Sequence, residues 1–404
     1  MLRWEANPLS TRAAKPVLVA RGATAEGSLA EPVKGARLAY LDNLKAFMIA
    51  GIIAAHAFMG YAEFGSWTYQ DIQEVTLSEL VETIFVVAVF IGGGLFLMAL
   101  FFLISGMLTQ DSLARKGASR FVSDRLLRLG VPFAAYTLIV WPLLEYAVQG
   151  PFLRRGFWDS YTDTEPVLDS GPMWFVGALL FYSLVLVAWR RVVPPATTER
   201  RALRGRDVAL LAVAVGLATF VLRIAFHADS DQPLNAHLWG WPEYVAMFGL
   251  GVAAARHAWL RPVPRELARL CGIVAIVAIL VVVLSIATAE PLGLDPEAYF
   301  GGWGPLGFLG GVSEGTIAVV APIWVLAFAQ RHLDRTGPLR RAMARSSYAA
   351  FMVQGPVLVG LMLLFRPLEL SGDLKAMFVA ALGIVGSFAL AWPLVTRTPL
   401  RRIL

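Results

Sequence analysis

Long apolar segments alternate with short polar ones from residue 38 to the end of the chain. The apolar runs are continuous and lack the roughly ten-residue alternation of a membrane β-strand. Each is close to the about 20 residues that a transmembrane helix needs. The pattern therefore predicts an all-α polytopic membrane protein with about ten transmembrane helices. The predicted spans are 39–59, 81–108, 126–147, 172–189, 207–226, 240–255, 270–288, 305–329, 346–365 and 375–396.

The polar segments alternate in charge along the chain. Those before the first span and after every second span are basic, as in 190–206 and 331–345. The others are acidic, neutral or mixed, and 60–80 contains no Lys or Arg. Because basic loops stay on the cytoplasmic side, we expect both termini in the cytoplasm. The pattern then indicates a multi-pass protein of the bacterial inner membrane, with the lipid bilayer as its main partner.

The composition agrees with a membrane class. Hydrophobic residues make up 57% and charged residues 16% of the chain, against about 25% charged in soluble domains. Residues 1–36 lack the apolar core of a signal peptide and predict a disordered cytoplasmic tail before a membrane domain over 37–404. The net charge of +6 comes from short loops, so we expect no nucleic-acid partner. With one cysteine and no paired ligand spacing, the sequence predicts no metal site.

The first span carries ionisable residues. Lys45 and His56 are eleven positions apart, close to three helical turns, so both lie on one face about 16 Å apart along the axis. Asp42 is three residues before Lys45 and can pair with it. Ionisable groups inside a membrane are costly and mark function by default. A snorkelling lysine with an interfacial histidine is the plain alternative. His56 suits acyl transfer because imidazole accepts and returns a proton near neutral pH.

Two further segments have two interpretations each. Ser105 and Gly106 end the predicted second span, where small residues allow close helix packing. Arg125 and Arg128 are one turn apart at the start of the third span. Two guanidinium groups at a helix N-terminus can bind phosphate. The same pair is also ordinary positive-inside anchoring.

Other polar residues fall within or near the later spans. Glu314 follows a glycine-rich stretch, 301–311, which we expect to be non-helical backbone lining a cavity. Glu243 and Arg223 lie near the outer ends of their spans and are interpreted as interface residues. The remaining histidines are expected to be solvated surface residues. They are His227, His237, His257 and His332.

Several segments, taken in order, resemble the acyltransferase 3 family of integral membrane acyltransferases, and most closely its glucan-succinylating subgroup. The resemblance extends from residue 37 to about 400. The matching segments are Tyr40 to Lys45 with His56, Phe101 to Gly106, Arg125 to Pro132, Met173-Trp174-Phe175, and Ser347-Tyr348 to Pro356.

The resemblance implies a reaction. Family members transfer an acyl group, commonly acetyl or succinyl, from cytoplasmic acyl-CoA to a hydroxyl of an envelope carbohydrate or lipid. His56 then becomes the catalytic residue, and Arg125 and Arg128 match the family's arginine pair. Lys45 stands where the family has an arginine, and it lacks the bidentate fork. Gln354 stands where many relatives have a histidine and can only form hydrogen bonds.

The resulting interpretation is an O-acyltransferase that uses acyl-CoA as co-substrate and holds no tightly bound cofactor. The acyl-CoA phosphates are assigned to Lys45, Arg125 and Arg128, and catalysis to His56. Supporting roles are assigned to Asp42, Ser105, Trp174, Glu314 and Gln354. Two other classes stay open at this point. One is a transporter or flippase of an envelope lipid or saccharide with Glu314 and the glycines as gating elements, and the other is a non-catalytic membrane scaffold.

Overall fold

The described part of the chain is helical. The computed structural model describes residues 38–62, 67–71, 96–153, 156–163, 168–193, 202–228, 230 and 232–403, and within these ranges every regular element is a helix and no strand occurs. The predicted tail and the predicted start of the second span, 81–95, lie outside the described residues. The all-α class is confirmed.

Eleven helices are named in chain order over the described ranges. They are α1 (Ala39–Met59), α2 (Leu97–Lys116), α3 (Ala118–Val148), α4 (Phe157–Asp163), α5 (Trp174–Val192), α6 (Gly205–Ala225), α7 (Trp241–His257), α8 (Arg265–Ala289), α9 (Pro305–His332), α10 (Pro338–Phe365) and α11 (Gly372–Arg397).

Nine helices of the described ranges are long and apolar enough to cross a membrane, which makes the chain a polytopic membrane protein. The predicted sixth span corresponds to α7, which has 17 residues and is the short member of the set. It begins just after Gly240, with Pro242 in its first turn, and ends where Ala258 adopts a left-handed conformation. Seventeen residues is about the lower limit for a crossing, so the tenth crossing stays a prediction.

Helices α2 and α7 pack at very close range through glycines. A Cβ on Gly106 would collide with the backbone of Phe248, and a Cβ on Gly251 would lie 3.1 Å from the Cα of Gly106. Such contact needs small residues on both helices. The packing role predicted for Gly106 is confirmed, and half-buried Ser105 lies beside it.

The glycine-rich stretch before Glu314 differs from the expectation. Residues 301–304 are non-helical, but α9 begins at Pro305 and contains the remaining glycines. A Cβ on Gly311 would lie 2.6 Å from the Cα of Phe220, and one on Gly315 would lie 2.6 Å from the Cα of Gly216. Gly311 and Gly315 therefore bring α9 against α6, and the expectation of non-helical backbone holds only for 301–304.

A buried ion pair joins the same two helices. Arg223 Nη2 of α6 donates to Glu314 Oε2 of α9 at 2.5 Å, and the Arg223 side chain is 1% exposed. The guanidinium also lies over the ring of Trp239, 5.1 Å from its centroid. Glu243 is 4% exposed and acts electrostatically on Arg223. The interpretation of Arg223 and Glu243 as interface residues was wrong, because tertiary packing buries both.

Candidate active site

His56 lies near the end of α1, held from two sides. Its Nδ1 is 3.2 Å from Oε1 of Gln354 on α10. Its ring stacks on Trp67 with centroids 4.5 Å apart and planes 18° apart. An amide oxygen can only accept, so Nδ1 carries the ring proton in this arrangement and Nε2 is left as the acceptor. The imidazole is therefore set in the tautomer that a general base needs.

The residues behind Trp67 form an aromatic wall. The ring of Trp141, on α3, meets Trp67 edge-on at 5.4 Å, and its Nε1 donates to Asp169 Oδ2 at 2.9 Å. Asp169 Oδ1 accepts from the backbone of Gly171 at 2.8 Å. Gly171 has φ +48, and a Cβ there would lie 2.5 Å from the Trp141 ring. Only glycine can adopt this φ and also leave room for the indole. The turn at Gly171 and the Trp141 ring therefore hold each other in position.

Gln354 is positioned by a close approach between α10 and α3. Gln354 is fully buried, and its Nε2 has no partner among the described residues. A Cβ on the neighbouring Gly355 would collide with the Tyr136 hydroxyl. Tyr136 opens a π-helical turn, Tyr136–Val140, inside α3. Single π turns are frequent at functional sites because they reorient side chains.

His237 was expected at the surface, and that expectation was wrong. It lies in the loop before α7, half-buried, with its ring stacked on Trp174 at 4.2 Å. It is close enough to His56 for the charge of one ring to act on the other. Burial lowers the pKa of His237, while the Asn235 carbonyl and Asp169 oppose that effect. The indole of Trp174 covers the His237 ring, and this contact cannot be predicted from the sequence of the loop.

Both imidazoles are enclosed by protein yet keep accessible surface. His56, Trp67, Trp174 and His237 are joined by stacking or electrostatic contact and form what we name the imidazole end of the molecule.

The two predicted arginines lie together at the other end of α3. Arg125 Nη2 donates to Thr109 Oγ1 of α2 at 2.9 Å, and its guanidinium lies 5.0 Å from the ring centroid of Phe121. Arg128 is exposed and falls in a second π-helical turn, Leu126–Gly130. Tyr348 of α10 donates to the Arg128 carbonyl at 2.8 Å. These residues form the arginine end.

Helix α10 connects the two ends. Tyr348 contacts the arginine end and Gln354 the imidazole end. The two residues are six positions apart on one helix, a rise of about 9 Å. The arginine end and His56 are therefore connected by less than two turns of α10, together with the side chains of Tyr348 and Gln354.

The other predicted residues take local positions. Lys45 Nζ lies 2.9 Å from Asp42 Oδ1, which confirms that pair. Glu314 belongs to the Arg223 pair described above. The sequence interpretation missed Trp67, Trp141, His237 and Tyr348 as site residues. Tyr348 lies within a segment that carried the family resemblance, whereas Trp67 lies in a loop with no motif.

Comparison with known proteins agrees with the geometry. The model of the acyltransferase 3 family, described as an acyltransferase domain, matches residues 38–396. No curated protein and no solved structure matches the chain significantly. The matched range begins just before α1 and ends within α11, so it includes both the imidazole end and the arginine end. The chain therefore belongs to the acyltransferase 3 family and is a membrane acyltransferase.

Proposed function

We propose that this protein transfers an acyl group, of the acetyl or succinyl class, from cytoplasmic acyl-CoA to a hydroxyl of an envelope carbohydrate or lipid. The observation that carries the proposal is His56, with Nδ1 held by Gln354 and the ring enclosed by protein. A glucan acceptor, as in the subgroup that the sequence resembles, is the first to test. The protein works in the bacterial inner membrane with both termini in the cytoplasm.

The chemical step uses the free Nε2 of His56. This nitrogen takes the proton of the acceptor hydroxyl while the hydroxyl oxygen attacks the thioester carbonyl. The tetrahedral intermediate expels the CoA thiolate, which takes the proton back from the imidazolium, so the ring is regenerated. In a second route, Nε2 attacks the thioester carbonyl and expels the CoA thiolate, and the acceptor hydroxyl then attacks the acyl-imidazole while its proton passes to the thiolate. Both routes need Nε2 unprotonated at the start.

The donor is held at the arginine end. The guanidinium groups of Arg125 and Arg128 suit the phosphates of CoA, and Lys45 adds a point charge from α1. Arg125 is oriented by Thr109 and Phe121, while Arg128 is exposed. The thioester arm then follows α10 toward His56.

The first prediction tests the whole proposal in cells. Envelope glycans and lipids are compared by mass spectrometry between cells with the wild-type gene, the His56→Ala gene and no gene. We expect an acylated species in the wild type only, because alanine offers no proton acceptor. His332→Ala, at the end of α9, is the control and keeps the species. Acylation by His56→Ala at wild-type protein levels would remove His56 from the mechanism. Identical envelopes with and without the gene would overturn the proposed reaction.

The second prediction concerns the donor. Arg128→Ala removes the side chain but leaves the backbone carbonyl that Tyr348 contacts. We expect KM for acyl-CoA to rise about tenfold, the effect of losing a charged hydrogen bond. Rates with acyl-pantetheine, which lacks the nucleotide phosphates, stay unchanged. Arg115→Ala, at the exposed end of α2, serves as the matched control. An equal loss with both donors would contradict phosphate binding by Arg128.

A further inference from the structure

The loop that carries His237 has a strained backbone. Leu234, Asn235 and His237 have φ values of 57, 52 and 47. Residues with a Cβ seldom adopt this left-handed conformation, and it persists only where the surroundings hold it. Three such residues fall within four positions of the loop that carries His237. We therefore interpret the conformation of this loop as functional.

Side chains hold this loop at three consecutive carbonyl groups. The pairs are Ser170 Oγ with the Leu234 carbonyl at 2.6 Å, His237 Nδ1 with the Asn235 carbonyl at 2.6 Å, and Trp241 Nε1 with the Ala236 carbonyl at 3.0 Å. In addition, Gln232 Oε1 accepts from the Leu238 backbone at 2.5 Å. The strained conformation is thus fixed before any substrate arrives.

The consequence for His237 is a defined orientation. Its Nδ1 donates to a carbonyl, which leaves Nε2 as an acceptor. Its ring is held flat against Trp174, 4.2 Å away. Burial lowers the pKa of His237 and so favours the neutral ring. His56 has the same tautomer, with Nδ1 held by Gln354 and Nε2 free. Two imidazoles whose Nε2 atoms meet no hydrogen-bond donor among the described residues therefore belong to the imidazole end.

One imidazole is enough to accept the proton of one hydroxyl group. The second imidazole, His237, therefore needs a different hydrogen-bond partner. We propose that His237 binds the acceptor by accepting a hydrogen bond at Nε2 from a second hydroxyl of the molecule that His56 deprotonates. This inference rests on the proposed function. A molecule with two hydroxyl groups close together is a polyol, so the acceptor is a saccharide rather than an alcohol with one hydroxyl.

The test uses the full-length protein in lipid nanodiscs with acetyl-CoA or succinyl-CoA, and release of the CoA thiol is measured. Methyl β-glucoside and 1-propanol are the two acceptor probes. His237→Phe keeps a ring on Trp174 but removes the Nε2 acceptor, together with the Nδ1 donor to the Asn235 carbonyl. His227→Ala, an exposed histidine near the start of the same loop, is the matched control. His237→Gln restores an acceptor without the ring.

We expect the wild type to acylate methyl β-glucoside at least tenfold faster than 1-propanol. His237→Phe raises KM for the glucoside about tenfold, the effect of one lost hydrogen bond, and leaves KM for acyl-CoA unchanged. His237→Gln recovers part of the glucoside KM. An unchanged glucoside KM in His237→Phe would overturn the inference and leave the proposed function standing. A wild type that releases no CoA thiol with either probe would overturn both.

Discussion

At the scale of a single residue, the proposed reaction depends on which nitrogen of His56 carries the proton. Gln354 decides this by offering an amide oxygen to Nδ1 at 3.2 Å. A carboxylate in that place would also stabilise the imidazolium by its charge, whereas an amide supplies orientation alone. Gln354 is therefore a positioning residue, and its contribution lies in the tautomer and angle of the ring.

The third prediction comes from that role. Gln354→Leu leaves the Nδ1 proton without an acceptor in a buried site, so we expect kcat to fall at least tenfold while KM for acyl-CoA stays within twofold, because the arginine end is untouched. Gln354→Glu supplies an acceptor again and restores most of the rate. Steady-state kinetics with a melting curve for each variant provides the measurement. Equal losses in both variants would mean that Gln354 only fills space.

Single residues were predictable where local sequence carries the signal. His56 stands out as an imidazole inside an apolar run, and the Asp42–Lys45 pair is expected from helical spacing. Gln354 is 298 positions from His56, so no local pattern could assign it as the orienting group. His237 was misassigned because loop composition does not report whether an indole such as Trp174 covers the ring.

At the scale of elements, helix α3 departs from a regular helix twice. Its π-helical turns fall at Leu126–Gly130 and Tyr136–Val140, one at each end of the site. Each adds a residue to a turn and rotates the rest of the helix relative to the turns before it. The sequence predicted a single span over 126–147 but not these turns, because the apolar pattern is the same for both helix types.

The fourth prediction tests the approach of α3 to α10. Gly355→Ala places a methyl group against the Tyr136 hydroxyl. Since Gly355 and Tyr136 both lie beside Gln354, we expect the substitution to displace Gln354 and to lower activity at least tenfold. Gly360→Ala on the same helix meets no atom within 4 Å and is the matched control. Activity and melting temperature are measured for both. Full activity in Gly355→Ala would show that this approach does not position Gln354.

At the scale of the whole molecule, the positions of the spans were largely predictable and the interior polar contacts were not. Length and hydropathy locate the spans because hydrocarbon demands about 20 apolar residues. The Arg223–Glu314 pair joins residues 91 positions apart, and Gly311 and Gly315 of α9 pack on α6. Distant contacts of this kind depend on the arrangement of helices, which spacing along one helix cannot reveal.

The fifth prediction concerns this ion pair. Removing Glu314 leaves the buried Arg223 guanidinium without the carboxylate that it donates to, so Glu314→Leu should destabilise the protein by about 3–5 kcal/mol. Arg223→Leu with Glu314→Leu removes both charges, and we expect the double variant to be more stable than Glu314→Leu. Glu266→Leu, at the exposed start of α8, is the control. Denaturation in detergent micelles measures all three. A double variant less stable than the single one would contradict a simple pairing.

The connection through α10 has a mechanical consequence. The five residues between Tyr348 and Gln354 include no glycine or proline, so this stretch turns as a rigid rod. A rotation of the rod that breaks the Tyr348 contact with the Arg128 carbonyl must also swing Gln354 away from His56. The arginine end and the imidazole end are therefore mechanically coupled through this stretch of α10.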